Sequence, residues 1–306
     1  GIQWIKEAFC GECTEKEIGR LTEIGKAEGI KAVVGIGGGK AIDAAKVVAS
    51  NLHTPVGIIP TVASTDAPTS TVSVIYDEWG EFSHYVRFKR NPDIVLVDTE
   101  IIAKAPLRYL AAGIGGALGI YYEAEACYKS GAITIAGGRP SLLAAQCAKT
   151  IGDVLFTYGR MAKVSCEMGI WSPAIEKVVE SSLLFSGIGF ESGGLALAHS
   201  IYHGYRNLGG KDKMHGEVVA FGALVQMVLE GRSEEEITCI CRFCKDMKLP
   251  YRLEDIGIDR QNIQKINELS KIAWEQGTAL NMHCDVNPDK ISAAVLLADY
   301  LGRNTT

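Results

Sequence analysis

The sequence predicts an α/β protein in which a doubly wound parallel sheet is followed by an all-helical region. Between residues 14 and 98, short β-branched runs alternate with helix signals, which is typical of a parallel sheet packed against helices. From Ile101 onwards, Ala, Leu, Ile and Glu recur at helical spacing. A length of 306 residues, 47% of them hydrophobic, is enough for two packed cores. We therefore expect an α/β domain over residues 1–104 and a helical domain over residues 105–306.

Capping residues, glycines and prolines delimit the elements of the first region. Thr14-Glu-Lys-Glu17 is a capping box that opens a helix running to about Gly29. Lys31-Ala-Val-Val-Gly-Ile-Gly37 is a short β-branched run stopped by glycines, as expected of a buried parallel strand. The same reasoning predicts strands over 55–61 and 93–98, a helix over 40–50 and a hairpin over 71–87.

Helix starts in the second region are marked by a capping residue followed by a proline or by an acidic first turn. They occur at Ser172-Pro173, Ser233 and Asn287-Pro288. Because a side-chain cap satisfies a backbone N–H group that the helix itself leaves free, each position predicts the first turn of a helix.

The charge and hydropathy pattern excludes several classes of partner. The net charge is −5 at neutral pH and the basic residues form no long run, so binding to nucleic acid or to an anionic membrane is not predicted. No apolar stretch approaches the roughly 18 residues of a membrane-spanning helix. The first residues also lack the basic start and apolar stretch of a signal peptide.

The nine cysteines indicate reduced thiols in a cytoplasmic protein, since a disulfide scaffold is unusual at this length and density. Two clusters leave a structural zinc site open as an alternative. They are Cys10-Gly-Glu-Cys13 and Cys239-Ile-Cys241-Arg-Phe-Cys244. The second cluster lies in a predicted helix that places only two of its three thiols on one face, which favours ordinary buried thiols.

A glycine-rich turn, Gly35-Ile-Gly-Gly-Gly39-Lys40-Ala-Ile-Asp43, lies between a predicted strand and a predicted helix. Glycines let the backbone approach a phosphate closely, and a helix start offers free N–H groups at its positive end. The spacing is neither that of G-x-G-x-x-G nor that of a Walker A loop. A tight turn without a ligand is the alternative, but the flanking strand and helix favour a phosphate-binding turn.

A stretch rich in hydroxyl groups, Pro60-Thr-Val-Ala-Ser-Thr-Asp-Ala-Pro-Thr-Ser70, follows the next predicted strand. Ligands of open α/β sheets bind at the carboxyl ends of the strands. The stretch would place five hydroxyl groups and one carboxylate at that edge. Next to the glycine-rich turn, it is interpreted as the second wall of a nucleotide cleft.

With these motifs the sequence resembles the metal-dependent, group III (iron-containing-type) alcohol dehydrogenases. The matching segments follow the family's order and span nearly the whole chain. They are residues 35–46, 60–68, 91–98 and 189–196 and His215-Gly-Glu217. The resemblance implies a dehydroquinate synthase-like architecture, with an NAD-binding domain followed by a helical, metal-carrying domain. It also implies that the family's first strand–helix unit is missing from this sequence and that the sheet is truncated at its start.

The resemblance further implies roles for individual residues. Asp66 would be the catalytic residue that contacts the substrate hydroxyls, and His199 and His215 would be two of the three ligands of a Zn²⁺ ion. The residues implied to contact NAD are Gly38, Gly39, Lys40, Asp43, Thr61, Ser64, Ser70, Val72 and Tyr76.

One residue departs from the family's metal site. The family's third ligand is the aspartate of Gly-Ile-Gly-Asp-Ala-Leu, whereas this sequence has Gly113-Ile-Gly-Gly116-Ala-Leu118. Glu123 lies about 10.5 Å further along the same predicted helix, too far to replace the aspartate. His203 follows His199 at i+4, so both imidazoles share one helix face and His203 is the candidate substitute. The alternative is that His203 is a polar residue near the cleft.

The resemblance thus implies NAD-dependent, metal-assisted oxidation of glycerol or a related small vicinal diol to the hydroxyketone, by a homo-oligomer. A second hypothesis is a degenerate homologue that keeps the fold, lacks a complete metal site and acts as a binding or assembly subunit. Gly116 favours this second hypothesis. A lyase resembling dehydroquinate synthase is a third, but it would require more basic and histidine residues around the metal than the sequence offers.

Overall fold

A parallel sheet and a separate antiparallel hairpin contain the strands of the described residues. The computed structural model describes residues 3–275 and 277–305. The strands are β1 (Val33–Gly37), β2 (Val56–Pro60), β3 (Val72–Tyr76), β4 (Phe82–Arg87) and β5 (Ile94–Val95). The parallel sheet has the order β1-β2-β5, and β3 pairs with β4. The predicted parallel sheet and hairpin are therefore confirmed.

Helices dominate the chain after β5, as predicted. The helices are α1 (Glu15–Ala27), α2 (Gly39–Leu52), α3 (Thr99–Ala103), α4 (Leu107–Ser130), α5 (Leu142–Met168), α6 (Pro173–Glu180), α7 (Ser186–Ile188), α8 (Leu197–Asn207), α9 (His215–Leu229), α10 (Glu234–Asp246), α11 (Ile263–Glu275) and α12 (Pro288–Arg303). Two π-helical segments, Ser181–Phe185 and Gly189–Gly193, flank α7. Short 3₁₀ turns occupy Glu254–Ile256 and Thr278–Asn281.

Side-chain caps open four of these helices at the positions that the sequence predicts. The hydroxyl of Thr14 accepts a hydrogen bond from the backbone N–H of Glu17 at 3.2 Å, and Ser233 does the same for Glu236 at 3.2 Å. Ser172 and Asn287 cap α6 and α12 in the same way, each followed by a proline. Local capping chemistry thus sets where these helices begin.

The predicted strand over 93–98 is too long, because its ends are used in other ways. Asp93 turns its carboxylate to the backbone N–H of Val56 at 2.8 Å. Asp98 is the N-cap of α3 and accepts the backbone N–H of Glu100 at 3.0 Å. Only Ile94–Val95 remains in strand geometry.

The two faces of the parallel sheet differ in exposure. On one face, Ile58 is fully buried against Ile42 and Ala45 of α2. On the other face, two neighbouring rows of side chains point outward, because β1, β2 and β5 pair in register. Four large aliphatic side chains of these rows are between 58% and 67% exposed, and Ile59, which pairs with Ile36, is partly exposed. The four are Val34, Ile36, Ile94 and Leu96. We call this surface the open sheet face.

The main hydrophobic core lies among the helices, and two glycine contacts bring α4 close to its neighbours. A Cβ atom on Gly216 of α9 would lie 1.8 Å from the carbonyl oxygen of Ala112 in α4. A Cβ atom on Gly113 would lie 2.0 Å from the carbonyl oxygen of Ala63, in the loop after β2. Only glycine allows these approaches, and they place α4 between the loop after β2 and the start of α9.

Replacement of Gly216 by alanine is expected to lower the free energy of unfolding by about 2 kcal/mol, because the new methyl group must displace the backbone of α4. Gly116 is the matched control, since a Cβ atom there would meet only the Cα of Gly216, at 3.9 Å. Gly116→Ala should therefore be neutral or slightly stabilising, as is usual for glycine-to-alanine changes inside helices. Denaturant unfolding of both variants provides the comparison. Equal losses in the two variants would contradict this account of the helix crossing.

The nine cysteines and the described helices bear on disulfide bonding, metal binding and membrane insertion. All nine cysteines are free thiols. In the part of the chain that the structure describes, the Cys10 and Cys239 clusters do not come together as a metal-binding group. Among the helices of residues 3–275 and 277–305, none combines the length and apolar character needed to cross a membrane.

Candidate active site

The glycine-rich turn forms the start of α2, as predicted. Gly38 is the N-cap residue and uses no side chain to cap the helix. Gly37 has a φ of 152°, and a Cβ atom there would come within 2.9 Å of Ala41. Cβ atoms on Gly38 and Gly39 would point at Val62 and Thr65 of the loop after β2, at 3.5 and 3.7 Å. The turn therefore exposes backbone N–H groups beside that loop, which suits a phosphate group.

Three of the implied cofactor residues lie beyond this turn. Lys40 forms an ion pair with Glu12 at 2.5 Å and lies 4.9 Å from the ring centroid of Tyr76. Burial is the main cause that raises the pKa of Tyr76. Asp43 is buried, accepts the backbone N–H of Val74 at 3.1 Å and faces the ammonium of Lys46 at 3.0 Å. Its carboxylate thus joins α2 to β3 rather than pointing into the turn.

The other implied cofactor residues divide between the cleft and the interior. Ser64 lines the cavity described next. Thr61 follows β2 directly and donates its backbone N–H to Gly37 at 3.0 Å, which ties the two loops together. Ser70 is buried, and its hydroxyl donates to the carbonyl oxygen of Val72 at 3.2 Å. Thr61 and Ser70 thus stabilise the loop through these hydrogen bonds and do not line the cavity.

A small cavity gathers the residues to which chemistry was assigned. Its volume is about 10 Å³, close to the least that holds one water molecule. Its lining consists of Ser64, Thr65, Asp66, Gly113, Gly116, Ala117, Ile120, Ser182, Ser186, His199 and His215. The sheet region contributes the loop after β2, and the helical region contributes α4, the segment around α7, α8 and α9. The structure thus brings Asp66, His199, His215 and Gly116 to one place.

The two histidines face each other across this cavity. The Nε2 atoms of His199 and His215 are 3.1 Å apart. The Nδ1 atom of His199 lies 2.5 Å from the Oε2 atom of Glu123, so Nδ1 carries a hydrogen and donates it to the carboxylate. In the neutral ring, Nε2 of His199 then keeps its lone pair and turns it toward His215.

The buried charges shift the pKa values of these groups in different directions. Burial lowers the pKa of His199, but the charge and hydrogen bond of Glu123 outweigh it, so the pKa lies above its ordinary value. Burial and the neighbouring His199 hold the pKa of His215 well below the usual range. For Asp66, burial raises the pKa, and His199 only partly offsets this. The hydroxyl of Ser186 is 3.4 Å from Oδ2 of Asp66.

The histidine pair has the arrangement of two metal ligands. Two imidazole nitrogens on one tetrahedral Zn²⁺ ion, each about 2.0–2.1 Å from it, would be roughly 3.3 Å apart. A histidine that ligates a metal commonly donates its other N–H to a carboxylate, as His199 does to Glu123. Both observations fit a metal on the Nε2 side of the pair.

The third ligand of such a site is missing from the described residues. Gly116 lines the cavity beside both histidines, at the position where the sequence predicted a ligand to be lost. His203, the predicted substitute ligand, does not line the cavity. Within residues 3–275 and 277–305, no three His, Cys, Asp or Glu side chains gather around a metal position. Burial and the nearby His199 lower the pKa of His203 to about 4. The described residues therefore do not fit a complete three-ligand metal site.

The sequence analysis did not predict the roles of Glu123 and Gln226. Glu123, fully buried, accepts backbone N–H groups from Ala196 at 2.9 Å and His199 at 2.8 Å as well as the imidazole N–H. Gln226 of α9 accepts the next two N–H groups, from Leu197 and Ala198. These two side chains cap α8 from other helices. Only tertiary contacts create this role, and no local motif signals it.

The sequence and the fold are both similar to those of known proteins. The profile of iron-containing alcohol dehydrogenases matches residues 1–99. A glycerol dehydrogenase of Citrobacter freundii is 45% identical over 97% of this chain and 82% of its own length. One from Thermotoga maritima is 43% identical over 97% and 82%. The crystal structure of a probable glycerol dehydrogenase from Sinorhizobium meliloti is 36% identical, with a TM-score of 0.91 over 97% of this chain and 84% of that chain.

Proposed function

The chain belongs to the iron-containing alcohol dehydrogenase family and is an oxidoreductase, and from this we propose that it oxidises glycerol, or a related small vicinal diol, to the hydroxyketone with NAD⁺. One observation carries the proposal. A single cavity joins Asp66, the two facing imidazoles and several hydroxyl groups, next to the helix start that suits a phosphate. Relatives that are 45% and 43% identical are glycerol dehydrogenases, which supports glycerol as the substrate.

The glycine-rich turn fits the pyrophosphate region of NAD. Gly38 and Gly39 face the loop after β2 without side chains, so the space that Cβ atoms would fill is open to a ligand. Lys40 is half-exposed at the same helix start and adds a positive charge. NAD⁺ supplies the acceptor for the hydride that leaves the carbinol carbon.

Asp66 is proposed to orient the diol. Its carboxylate lines the cavity and can accept a hydrogen bond from a substrate hydroxyl, which turns the carbinol C–H toward the cleft. Ser64, Thr65 and Ser186 line the same space and offer a hydroxyl route by which the proton of the reacting O–H group leaves. Overall, the diol loses one hydride and one proton and becomes a hydroxyketone. Because the ligand set is incomplete, no step is assigned to a metal.

The proposal predicts that the purified chain converts glycerol and NAD⁺ to dihydroxyacetone and NADH. Steady NADH formation, followed by absorbance, is the measurement, and elemental analysis of the same sample records its bound metal. Asp66→Asn should reduce kcat/KM for glycerol by about 100-fold, within the range for loss of a charged group that contacts the reacting centre. The catalytic proposal fails if glycerol, tested with and without added Zn²⁺, yields no NADH while NADH itself binds.

Gly116 specifically favours a second candidate function. A homologue that keeps the cofactor cleft but not the metal ligands could act as a binding or assembly subunit. Binding of NADH without turnover of any diol would support this candidate, whereas turnover by the unmodified chain would exclude it. Both candidates use the same cavity, so one preparation tests them together.

A further inference from the structure

The loop that carries Asp66 is held from the sheet side by a buried lysine. Lys46 of α2 is 3% exposed, and its ammonium donates to the carbonyl oxygens of Ala67 at 2.9 Å and Val72 at 2.5 Å. The carboxylate of Asp43 lies 3.0 Å from the same ammonium. The main chain after Asp66 is therefore fixed to α2 by charged hydrogen bonds, which are stronger than neutral ones.

The same loop is held from the helical side by Glu191, in the π-helical segment Gly189–Gly193. One oxygen of its carboxylate accepts the backbone N–H of Thr71. The other accepts the side-chain amide of Asn91 at 2.9 Å, and that amide also donates to the carbonyl oxygen of Thr69 at 2.8 Å. Glu191, Asn91 and the loop thus form a closed ring of hydrogen bonds between the two regions of the chain.

Thr69 links this ring to Asp66. Its backbone N–H and its hydroxyl both point to the carbonyl oxygen of Asp66, at 3.0 and 3.1 Å. The hydroxyl also lies 2.6 Å from the carbonyl oxygen of Leu183. A Cβ atom on Gly187 would lie only 2.2 Å from this hydroxyl, so α7 packs directly on Thr69. Displacement of Thr69 therefore has to move the backbone of Asp66.

We propose that Glu191 is a positioning residue that fixes Asp66 for substrates with a second hydroxyl group. Glu191 does not line the cavity, so it acts through Thr71, Asn91 and Thr69 rather than on the substrate. Asp66 can orient a diol only if its carboxylate keeps a fixed position relative to the reacting carbinol carbon. A monohydric alcohol offers no second hydroxyl for this interaction. The preference for diols over monohydric alcohols thus depends on Glu191, and this part of the inference rests on the proposed function.

Glu191→Gln tests the inference with little change of shape. The amide nitrogen of glutamine would face the side-chain amide nitrogen of Asn91, and two donors cannot form a hydrogen bond with each other. The negative charge that strengthens the hydrogen bonds of the ring would also be lost. We expect kcat/KM for glycerol to fall about tenfold and kcat/KM for 2-propanol to change less than twofold, with the affinity for NADH unchanged. Asn91→Ala should reproduce this split, since Asn91 is exposed and its loss opens the same ring.

The matched control is Glu180→Gln, the same change at an exposed glutamate of α6, which should affect neither alcohol. A purely structural role for Glu191 predicts equal losses for glycerol and 2-propanol, and this result would overturn the proposal. If the unmodified chain turns over no alcohol, the proposed function fails and hydrogen exchange decides the inference. Faster exchange of the Thr69 N–H, which bonds to Asp66 and not to Glu191, supports the claim that Glu191 holds the loop at Asp66, and unchanged exchange there overturns it.

Discussion

Gly116→Asp is expected to raise the divalent metal bound to the purified protein to about one ion per chain, with an affinity at least 100-fold above that of the unmodified chain. Gly116 lines the cavity with His199 and His215, and a Cβ atom there meets only the Cα of Gly216, at 3.9 Å. The first atom of an aspartate side chain therefore meets no clash, and its carboxylate would add a charged oxygen donor to two imidazoles. Three protein ligands with one open position are the usual number for catalytic zinc.

Elemental analysis after dialysis and titration calorimetry with Zn²⁺ measure this effect directly, without reference to activity. Gly116→Ala is the control, because it adds the Cβ atom without a donor. Adding His215→Ala to the aspartate variant should remove the gained metal. A metal content that is the same in the unmodified chain and in Gly116→Asp would show that the site is built from other residues. New glycerol turnover in Gly116→Asp alone would favour the degenerate homologue as the natural state.

Loss of the Glu123 carboxylate is expected to cost a large part of the stability of the protein. Its carboxylate is fully buried and accepts three hydrogen bonds, two from backbone N–H groups at the start of α8 and one from His199. Glu123→Leu leaves these buried donors without a partner, so the free energy of unfolding should fall by about 4 kcal/mol. Glu123→Gln keeps an oxygen for the backbone groups and should lose about 2 kcal/mol.

Glu123→Gln should also change the tautomer of His199. The glutamine amide would donate to Nδ1, so the ring proton would move to Nε2 and remove the lone pair that faces His215. Denaturant unfolding measures the stability, and nitrogen NMR of the imidazole reports the tautomer. Glu125→Gln, in the same helix but at a carboxylate that is 40% exposed, is the control and should cost less than about 1 kcal/mol. Equal losses at the two positions, or an unchanged tautomer, would contradict the role given to Glu123.

Local signals predicted most of the fold. Thr14, Ser172, Ser233 and Asn287 cap helices because each satisfies backbone N–H groups within its own turn, which neighbouring residues alone determine. The predicted strand over 93–98 is too long, because Asp98 caps α3 through the N–H of Glu100, two residues on, whereas Asp93 binds the N–H of Val56, 37 residues away in the sequence. Such long-range competition leaves no mark in the hydropathy pattern.

The candidate site could be predicted only in part. The family pattern led to Asp66, His199, His215 and Gly116, and the structure places all four around one cavity. Spacing along the predicted helix indicates only that Glu123 is too distant to be a direct ligand. Its contact with Nδ1 of His199 depends on how α4 packs against α8, which spacing along one helix does not reveal. Ser182 and Ser186 reach the cavity through a π-helical segment and α7, a geometry without a sequence signature here.

The open sheet face affects how the polypeptide behaves in solution. Val34, Ile36, Ile94 and Leu96 form an aliphatic surface on strands that pair in register. Parallel sheets are ordinarily covered on both faces, and contiguous apolar surface promotes adhesion to other apolar material. Sulfate and phosphate, which are excluded from protein surfaces, strengthen that adhesion. The described polypeptide should accordingly associate with itself more readily as the concentration of sulfate or phosphate rises.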